Sequence, residues 1–419
     1  MIRPIKNIID HRLRFNPYFK SKLKAVLDQK EWSYRQLKER QNALFLTVLN
    51  RAVSRSTFYR RFYAEHGVDL NQIKSVEDIH LLPIINKNHV RNHLKEFYVG
   101  NPWIKTTGHT SGSSGTPLFI YRDYQSTISE GAYLWAQRAM FGLHPGMKIV
   151  SLRGKLDRSE MRRFNSTENC LYLSSFNLRA TKAKWYYEQL QQFQPYAILA
   201  YPSSVEILAN FFIEKNLTLE IPYIFTSSEQ VYPHQRAKVE KVFNTKIIDW
   251  YGNAERTIAL EQRKDYQYYE LPLYSVNEYQ ENRTITTGLI SKSFPLIRYD
   301  VDDVIVPQVE KTSFQIKEIM GRHDDVLILP DGTRVGRIGA VFLDIEGVDF
   351  AQILQESPER FSLNLVVNDK FSGSSQEKIQ SRFHKLAGDL QYDIAFVAEE
   401  DIIRTQAGKY KLVISKIKA

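Results

Sequence analysis

Thr110-Ser111-Gly112-Ser113-Ser114-Gly115-Thr116-Pro117 is a run of small, hydroxylated, turn-forming residues between two β-prone stretches, 103–107 and 118–121. It reads as a loop joining two strands. Glycines let a backbone approach a ligand closely, and successive N–H groups with several hydroxyls form a concavity suited to phosphate oxygens. Two familiar phosphate loops do not fit: no Lys follows Gly115, and Gly108, Gly112 and Gly115 lack the dinucleotide spacing. Taken alone, the run also fits a flexible Gly/Ser surface turn.

The 419 residues, 43% of them hydrophobic, suffice for two or three domains around a large core. No stretch has the roughly 18 uncharged apolar residues of a transmembrane segment, and charges interrupt the N-terminus where a secretory signal would be apolar. A cytoplasmic protein is the expectation. The lone Cys170 excludes an internal disulfide and a cysteine-rich zinc site. The net charge of +10 is spread along the chain without the aromatic-plus-basic pattern of a nucleic-acid module. Nucleic acid is therefore not the expected partner, and the charge suits surface solvation or an anionic substrate instead.

The fold class expected is α/β. Residues 1–100 are mainly helical, with Ser75-Val76-Glu77-Asp78 resembling a capping box. From 101 to 255 short apolar runs at 148–152, 197–200, 223–226 and 246–250 alternate with helical stretches, which predicts a mainly parallel sheet. Residues 256–320 form a β-rich part. These three segments compose a large N-terminal domain, 1–320, and a small α+β unit follows at 321–419.

Further constellations lie downstream of the loop. Tyr251-Gly252-Asn253-Ala254-Glu255 follows a buried strand, where open α/β sheets place ligand residues. Phe294-Pro295-Leu296-Ile297-Arg298-Tyr299 runs into a carboxylate cluster ending in Asp302 and Asp303. Gly321-Arg322-His323-Asp324-Asp325 marks the domain boundary, and Lys409 sits in the turn Thr405-Gln406-Ala407-Gly408 near the end of the chain. Each has an ordinary explanation: Glu255 as a solvated helix-start acid, Asp303 as an exposed turn residue, Lys409 as one surface lysine among many.

Taken in order, these stretches and the Ser/Gly loop resemble the adenylate-forming superfamily from about 110 to 409. Leu82-Pro83-Ile84 with Lys87, and the 294–299 run, most resemble the phenylacetate–CoA ligase family and its branch of capsular polysaccharide biosynthesis proteins. The resemblance implies AMP-forming activation of a small carboxylic acid by ATP with Mg²⁺, then acyl transfer, most directly to coenzyme A. A carrier thiol or a sugar amine stays open as acceptor, as does a degenerate protein that only binds nucleotide. By resemblance, Thr110, Ser111, Gly112, Ser113, Ser114, Gly115 and Thr116 hold phosphates, and Tyr251, Gly252 and Asn253 line the nucleotide. Asp303 takes the ribose hydroxyls, Arg322 the ribose or phosphate region, and Glu255 the Mg²⁺. Lys409 is the catalytic lysine and Asp324 the hinge of a mobile C-terminal lid.

Tyr201, Ser228 and Glu229 are candidates for the acyl pocket, with Phe225 and Tyr232 beside them fitting either an aryl acid or core packing. The oligomeric state is open, a homodimer among the options. Departures from the family pattern are Thr116 where a Lys is frequent, Asp302 where Gly is usual, and no cysteines for the structural zinc of some relatives. The Asp302 change predicts an altered local turn, and no zinc is expected.

Overall fold

A computed structural model describes residues 15–419 apart from 102, 104, 110–117, 155, 157–158, 281–282, 309–313, 323–326, 331–333, 336–337, 343–344, 389–390, 405–411 and 418–419. The helices in chain order are α1 (Pro17–Asp28), α2 (Tyr34–Arg55), α3 (Thr57–Glu65), α4 (Lys87–Asn92), α5 (Leu94–Phe97), α6 (Tyr124–Ala139), α7 (Ala183–Phe193), α8 (Pro202–Glu214), α9 (Pro233–Val242) and α10 (Gly373–Ala387). The strands run β1 (Thr106–His109), β2 (Phe119–Arg122), β3 (Ile149–Leu152), β4 (Arg162–Asn165), β5 (Cys170–Leu173), β6 (Ala197–Ala200), β7 (Tyr223–Ser227) and β8 (Lys246–Gly252). They continue as β9 (Ala259–Gln262), β10 (Tyr268–Glu270), β11 (Ser275–Gln280), β12 (Arg283–Gly288), β13 (Tyr299–Asp300), β14 (Asp303–Pro307) and β15 (Gln315–Arg322). Last come β16 (Leu327–Ile328), β17 (Arg334–Val335), β18 (Val348–Ser357), β19 (Arg360–Val367), β20 (Tyr392–Phe396) and β21 (Val413–Ser415). The chain divides into two compact units, one of residues 1–147, 165–170 and 248–319, the other of 148–164, 171–247 and 320–419.

The first unit holds the helical N-terminus and the β-rich part. Ser33 caps α2 with a full capping box, its hydroxyl accepting from Gln36 N while the Gln36 side chain reaches back. Ser75 and Asp78 form the expected box too, but it opens a 3₁₀ turn, Val76–Leu81. Strands β1 and β2 pair antiparallel, Gly108 opposite Ile120, so two strands flank the Ser/Gly run as read, while 110–117 lies outside the described residues. The turns from β8 to β9 and from β9 to β10 are too short for a crossover helix, so these strands pair antiparallel, and β15 also pairs antiparallel with β10. One apolar core, including Phe45, Phe58, Tyr59, Ile85, Leu296 and Tyr299, joins the helices to these strands.

The 294–300 segment is wedged into that core. Buried Arg298 takes a left-handed φ of 51° and grips Glu278 bidentately, Nε to Oε1 at 3.0 Å and Nη2 to Oε2 at 2.8 Å. Its third nitrogen donates to the carbonyls of His80, at 3.0 Å, and Leu82. Ile85 N donates to Arg298 O and Asp300 N to Ile85 O, both at 2.9 Å, so the Leu-Pro-Ile stretch pairs with it like a strand. Tyr59 completes the clamp, its hydroxyl accepting from Ile297 N at 2.9 Å and donating to Pro295 O at 3.2 Å.

The second unit holds the parallel part. Helical connections separate β3, β6 and β7, which pair parallel with Ala197 opposite Ile149 and Tyr223. Sequence reading missed β4 and β5, where Cys170 is 2% exposed at the start of β5, and it missed α9. β4 is short and half exposed, and α9 carries a weak apolar face, so neither stands out by periodicity. In residues 320–419 the order is β20-β19-β18-β21 with α10 packed by Ile379 and Phe383 against Phe361 and Leu363.

Two outcomes are expected. Arg298→Met would leave Glu278 and two carbonyls without their donor, costing about 3–5 kcal/mol in urea unfolding, and Arg298→Lys would not restore it for lack of the fork. Asp349 is raised by burial above the ordinary carboxyl range, against the hydrogen bond from Asn368 at 2.8 Å and the charge of Lys238, which oppose the rise. A carboxyl whose folded pKa is raised contributes stability at low pH that is lost as pH climbs through that value. Asp349→Asn should therefore melt higher than wild type at neutral pH, with the gain vanishing below the usual carboxyl range.

Candidate active site

Strand β8 delivers Tyr251 and Gly252 at its C-terminal end, and Asn253 to Thr257 turn the chain back into β9. Asn253 closes this turn twice, Nδ2 donating to Thr257 Oγ1 at 2.7 Å while Oδ1 accepts from Thr257 N at 2.9 Å. Its amide is thus committed to the turn. Arg256 takes a left-handed φ of 59°, which lets the tight reversal form, and its Nη1 reaches the hydroxyls of Ser126 and Thr127 on α6 at 3.3 and 3.2 Å. A side chain at Gly288 would come within 2.9 Å of Arg256 O, so β12 must carry glycine there.

Glu255 is not a solvated helix-start acid: it is 8% exposed, in a turn, and Oε1 accepts from Tyr299 Oη at 2.9 Å. Burial and the nearby Glu255 carboxylate push the Tyr299 phenol well up, so it stays protonated and donates. Arg122, at the end of the hairpin that flanks 110–117, donates to Ala254 O and is held below its usual pKa by burial and by Arg256. The loop's flanking strand and the glutamate's turn are thereby tied together.

Asp303 is not an exposed turn residue either; it is 6% exposed and opens β14, with Oδ2 accepting from Tyr251 Oη. Asp302 does not alter the turn as its identity predicts. It adopts φ 58°, the left-handed conformation that glycine supplies, its N–H donates to Asp300 Oδ1 at 3.0 Å, and its carboxylate pairs with Lys87 at 2.6 Å. Tyr251 with Asp303, Tyr299 with Glu255, and the turn closed by Asn253 all lie in the first unit.

In the second unit, Glu229 Oε2 accepts from Ser203 N at 2.9 Å and Oε1 from Ser203 Oγ at 3.1 Å, which fastens it to the start of α8. Ser228 sits beside it at a left-handed φ of 74°. Burial raises the phenol of half-buried Tyr201, with Arg153 opposing. Phe225 is 2% exposed and belongs to the core, whereas Tyr232 packs against the apolar cluster of 320–419. Arg322 ends β15, and Thr110 to Thr116, Asp324 and Lys409 lie outside the described residues. Sequence reading gave no role to Tyr299 or Arg122. The Tyr299 position inside the quoted 294–299 run was the available signal.

Tyr299→Phe would remove the hydroxyl donor of a buried carboxylate. The expected loss is about 1.5–3 kcal/mol in unfolding free energy, measured by denaturant titration.

Comparison with known proteins adds independent support. Residues 327–416 match the CapK C-terminal domain. Protein CapK of Staphylococcus aureus is 24% identical over 99% of this chain and 96% of its own length. A phenylacetate–coenzyme A ligase of Thermus thermophilus is 23% identical over 66% of this chain and 68% of its own. Among solved structures, 2-hydroxyisobutyryl-CoA ligase in the postadenylation state, in complex with an acyl-adenylate, superposes with a TM-score of 0.64 over 97% of this chain and 91% of that one, at 16% identity. The chain thus shares the fold of that ligase, and with its ordered motifs and the linked residues at β8 and β14 it is similar to Protein CapK and to the phenylacetate–coenzyme A ligase.

Proposed function

We propose that the chain is a cytoplasmic, ATP-dependent, AMP-forming ligase that activates a carboxylic acid as its acyl-adenylate and passes the acyl group to coenzyme A. The observation that carries this reading is the hydrogen bond from Tyr251 to Asp303, which joins the end of β8 to the start of β14. In this reading Asp303 exchanges the Tyr251 hydroxyl for the two ribose hydroxyls, which fixes the nucleotide, Tyr251 and Gly252 line the base, and Asn253 lies at the reacting centre. The Ser/Gly run from Thr110 to Thr116 receives the β- and γ-phosphates through its N–H groups and hydroxyls. Arg322 contacts the ribose or phosphates.

Glu255 suits Mg²⁺ in a specific way. Among the described residues no group of three or more His, Cys, Asp or Glu could cage an ion, and Glu255 presents a single carboxylate fixed by Tyr299. Mg²⁺ is commonly held by one or two carboxylates with phosphate oxygens and water completing the shell, so Glu255 would hold it with ATP supplying the rest. Bound there, the ion would neutralise phosphate charge. Lys409 places an ammonium at the charge that develops as carboxylate and α-phosphate join.

We take 1–320 as the large domain, with 1–100, 101–255 and 256–320 as its parts, and 321–419 as a lid that pivots at Asp324. Tyr201, Ser228 and Glu229 line the acyl pocket. A second reading, transfer to a sugar amine without a thioester, is favoured by the likeness to Protein CapK over nearly the whole chain.

Pyrophosphate release from ATP and Mg²⁺, measured over a panel of carboxylic acids with and without coenzyme A, tests both readings. Acid-dependent release is expected, and coenzyme A–dependent thioester separates the first from the second. Asp303→Ala should weaken ATP by about 1.5–3 kcal/mol in calorimetry. Lys409→Ala should slow adenylate formation by roughly 10²–10³ while sparing transfer from a supplied acyl-adenylate. No release with any acid, from protein that melts normally, would overturn the reading.

A further inference from the structure

A groove of about 780 Å³ opens in the first unit between α2 and the 70–74 segment. Its floor is apolar, with Leu49 and Ile73 buried and Leu46 and Val53 half-buried, and Leu70 stands exposed at its edge. The charges on its walls are Arg51, Arg55 and Lys74, and no lining residue is acidic. Arg51 and Arg55 are one helical turn apart on α2, and Arg40 lies three turns before Arg51 on the same face.

The positive field extends past the groove. Lys292 is pushed down from its ordinary value by burial and then by the nearby cations Lys22, Arg40 and Arg51. Among the described residues, none of Lys22, Arg40, Arg51, Arg55, Lys74 and Lys292 forms an ion pair. Some other cations of the same unit are answered, as Lys87 is by Asp302 and Lys30 by Glu261. Arg51 Nε is buried without a hydrogen-bond partner, and Arg51 Nη2 makes only a 3.4 Å contact with Val99 O. Like charges one turn apart on a helix repel. A cluster of unpaired cations of this kind gains from an external anion.

We infer that this groove is a docking site for the surface of an anionic phospholipid bilayer, its cations meeting the headgroup phosphates while exposed Leu70 and half-buried Leu46 and Val53 meet the acyl boundary. The apolar floor between the cations favours an amphiphile over a water-soluble polyanion, which would find no use for it. Exposed cations at a bilayer rich in anionic lipid each strengthen binding by about fivefold, and apolar contacts at the interface add to this. No helix among the described residues is long and apolar enough to cross a membrane, so the contact is peripheral on their part. This inference does not rest on the nucleotide chemistry.

The test is co-sedimentation of the full chain with vesicles of equimolar phosphatidylglycerol and phosphatidylcholine, against pure phosphatidylcholine. Binding to the first and not the second is expected, falling steeply with added salt. Arg55→Gln/Lys74→Gln changes only exposed side chains and should weaken it by about 25-fold with an unchanged melting temperature. Arg51→Gln, which also empties the orphan donor, should weaken it again if that protein folds. Equal binding to both vesicles, or no effect of the double substitution, would overturn the assignment. So would capture of soluble polyglutamate at these residues without vesicle binding, which would make the groove a polyanion site.

Discussion

The bidentate grip of Arg298 on Glu278 is the constraint on which the first unit depends. One guanidinium holds a carboxylate of β11 and two carbonyls of the 80–82 segment, and it does so from a left-handed backbone position. Few side chains could do this, since a planar fork with donors on three nitrogens is needed to serve an acid and two carbonyls at once. The next residue, Tyr299, holds Glu255, and four residues further Asp303 meets Tyr251. Loosening the arginine would free the segment that sets both carboxylates.

The candidate site is built from turns pinned by side-chain bonds, some local and some reaching far along the chain. Asn253 closes its own turn, Arg122 secures Ala254, and Asp300 and Lys87 hold Asp302. Such bonds between a side chain and nearby backbone compete with regular structure and so tend to stop a strand where they form. That is why β8 ends where Tyr251 and Gly252 emerge instead of running on.

Much of this was legible in the sequence. The strands β3, β6 and β7 were found because buried parallel strands are largely apolar, β8 by its own short apolar run, and the capping box at Ser75 announced a helical turn through its spacing alone. The motifs that carry Tyr251, Glu255 and Asp303 could be located because each follows such a strand or turn. What could not be read were the partners. That Tyr251 would meet Asp303, or Arg298 the carbonyls of His80 and Leu82, depends on residues far apart in the chain. Asp302 was read from its identity as a change of turn, yet a short polar side chain tolerates the left-handed region, and here it keeps the glycine-like backbone. The weak strand β4 offered too little periodicity to be seen.

Cys170 has a practical consequence. Its thiol is the sole one in the chain, and the residue is 2% exposed at the start of β5. A maleimide dye reacts with an accessible thiolate, so the native protein should remain unlabelled under mild conditions. A cysteine introduced at exposed Lys24 in the first unit and another at exposed Lys378 in the second would then take donor and acceptor dyes without any background substitution. Energy transfer between them would follow the two units in solution, molecule by molecule, as nucleotide, acid and acceptor are added in turn.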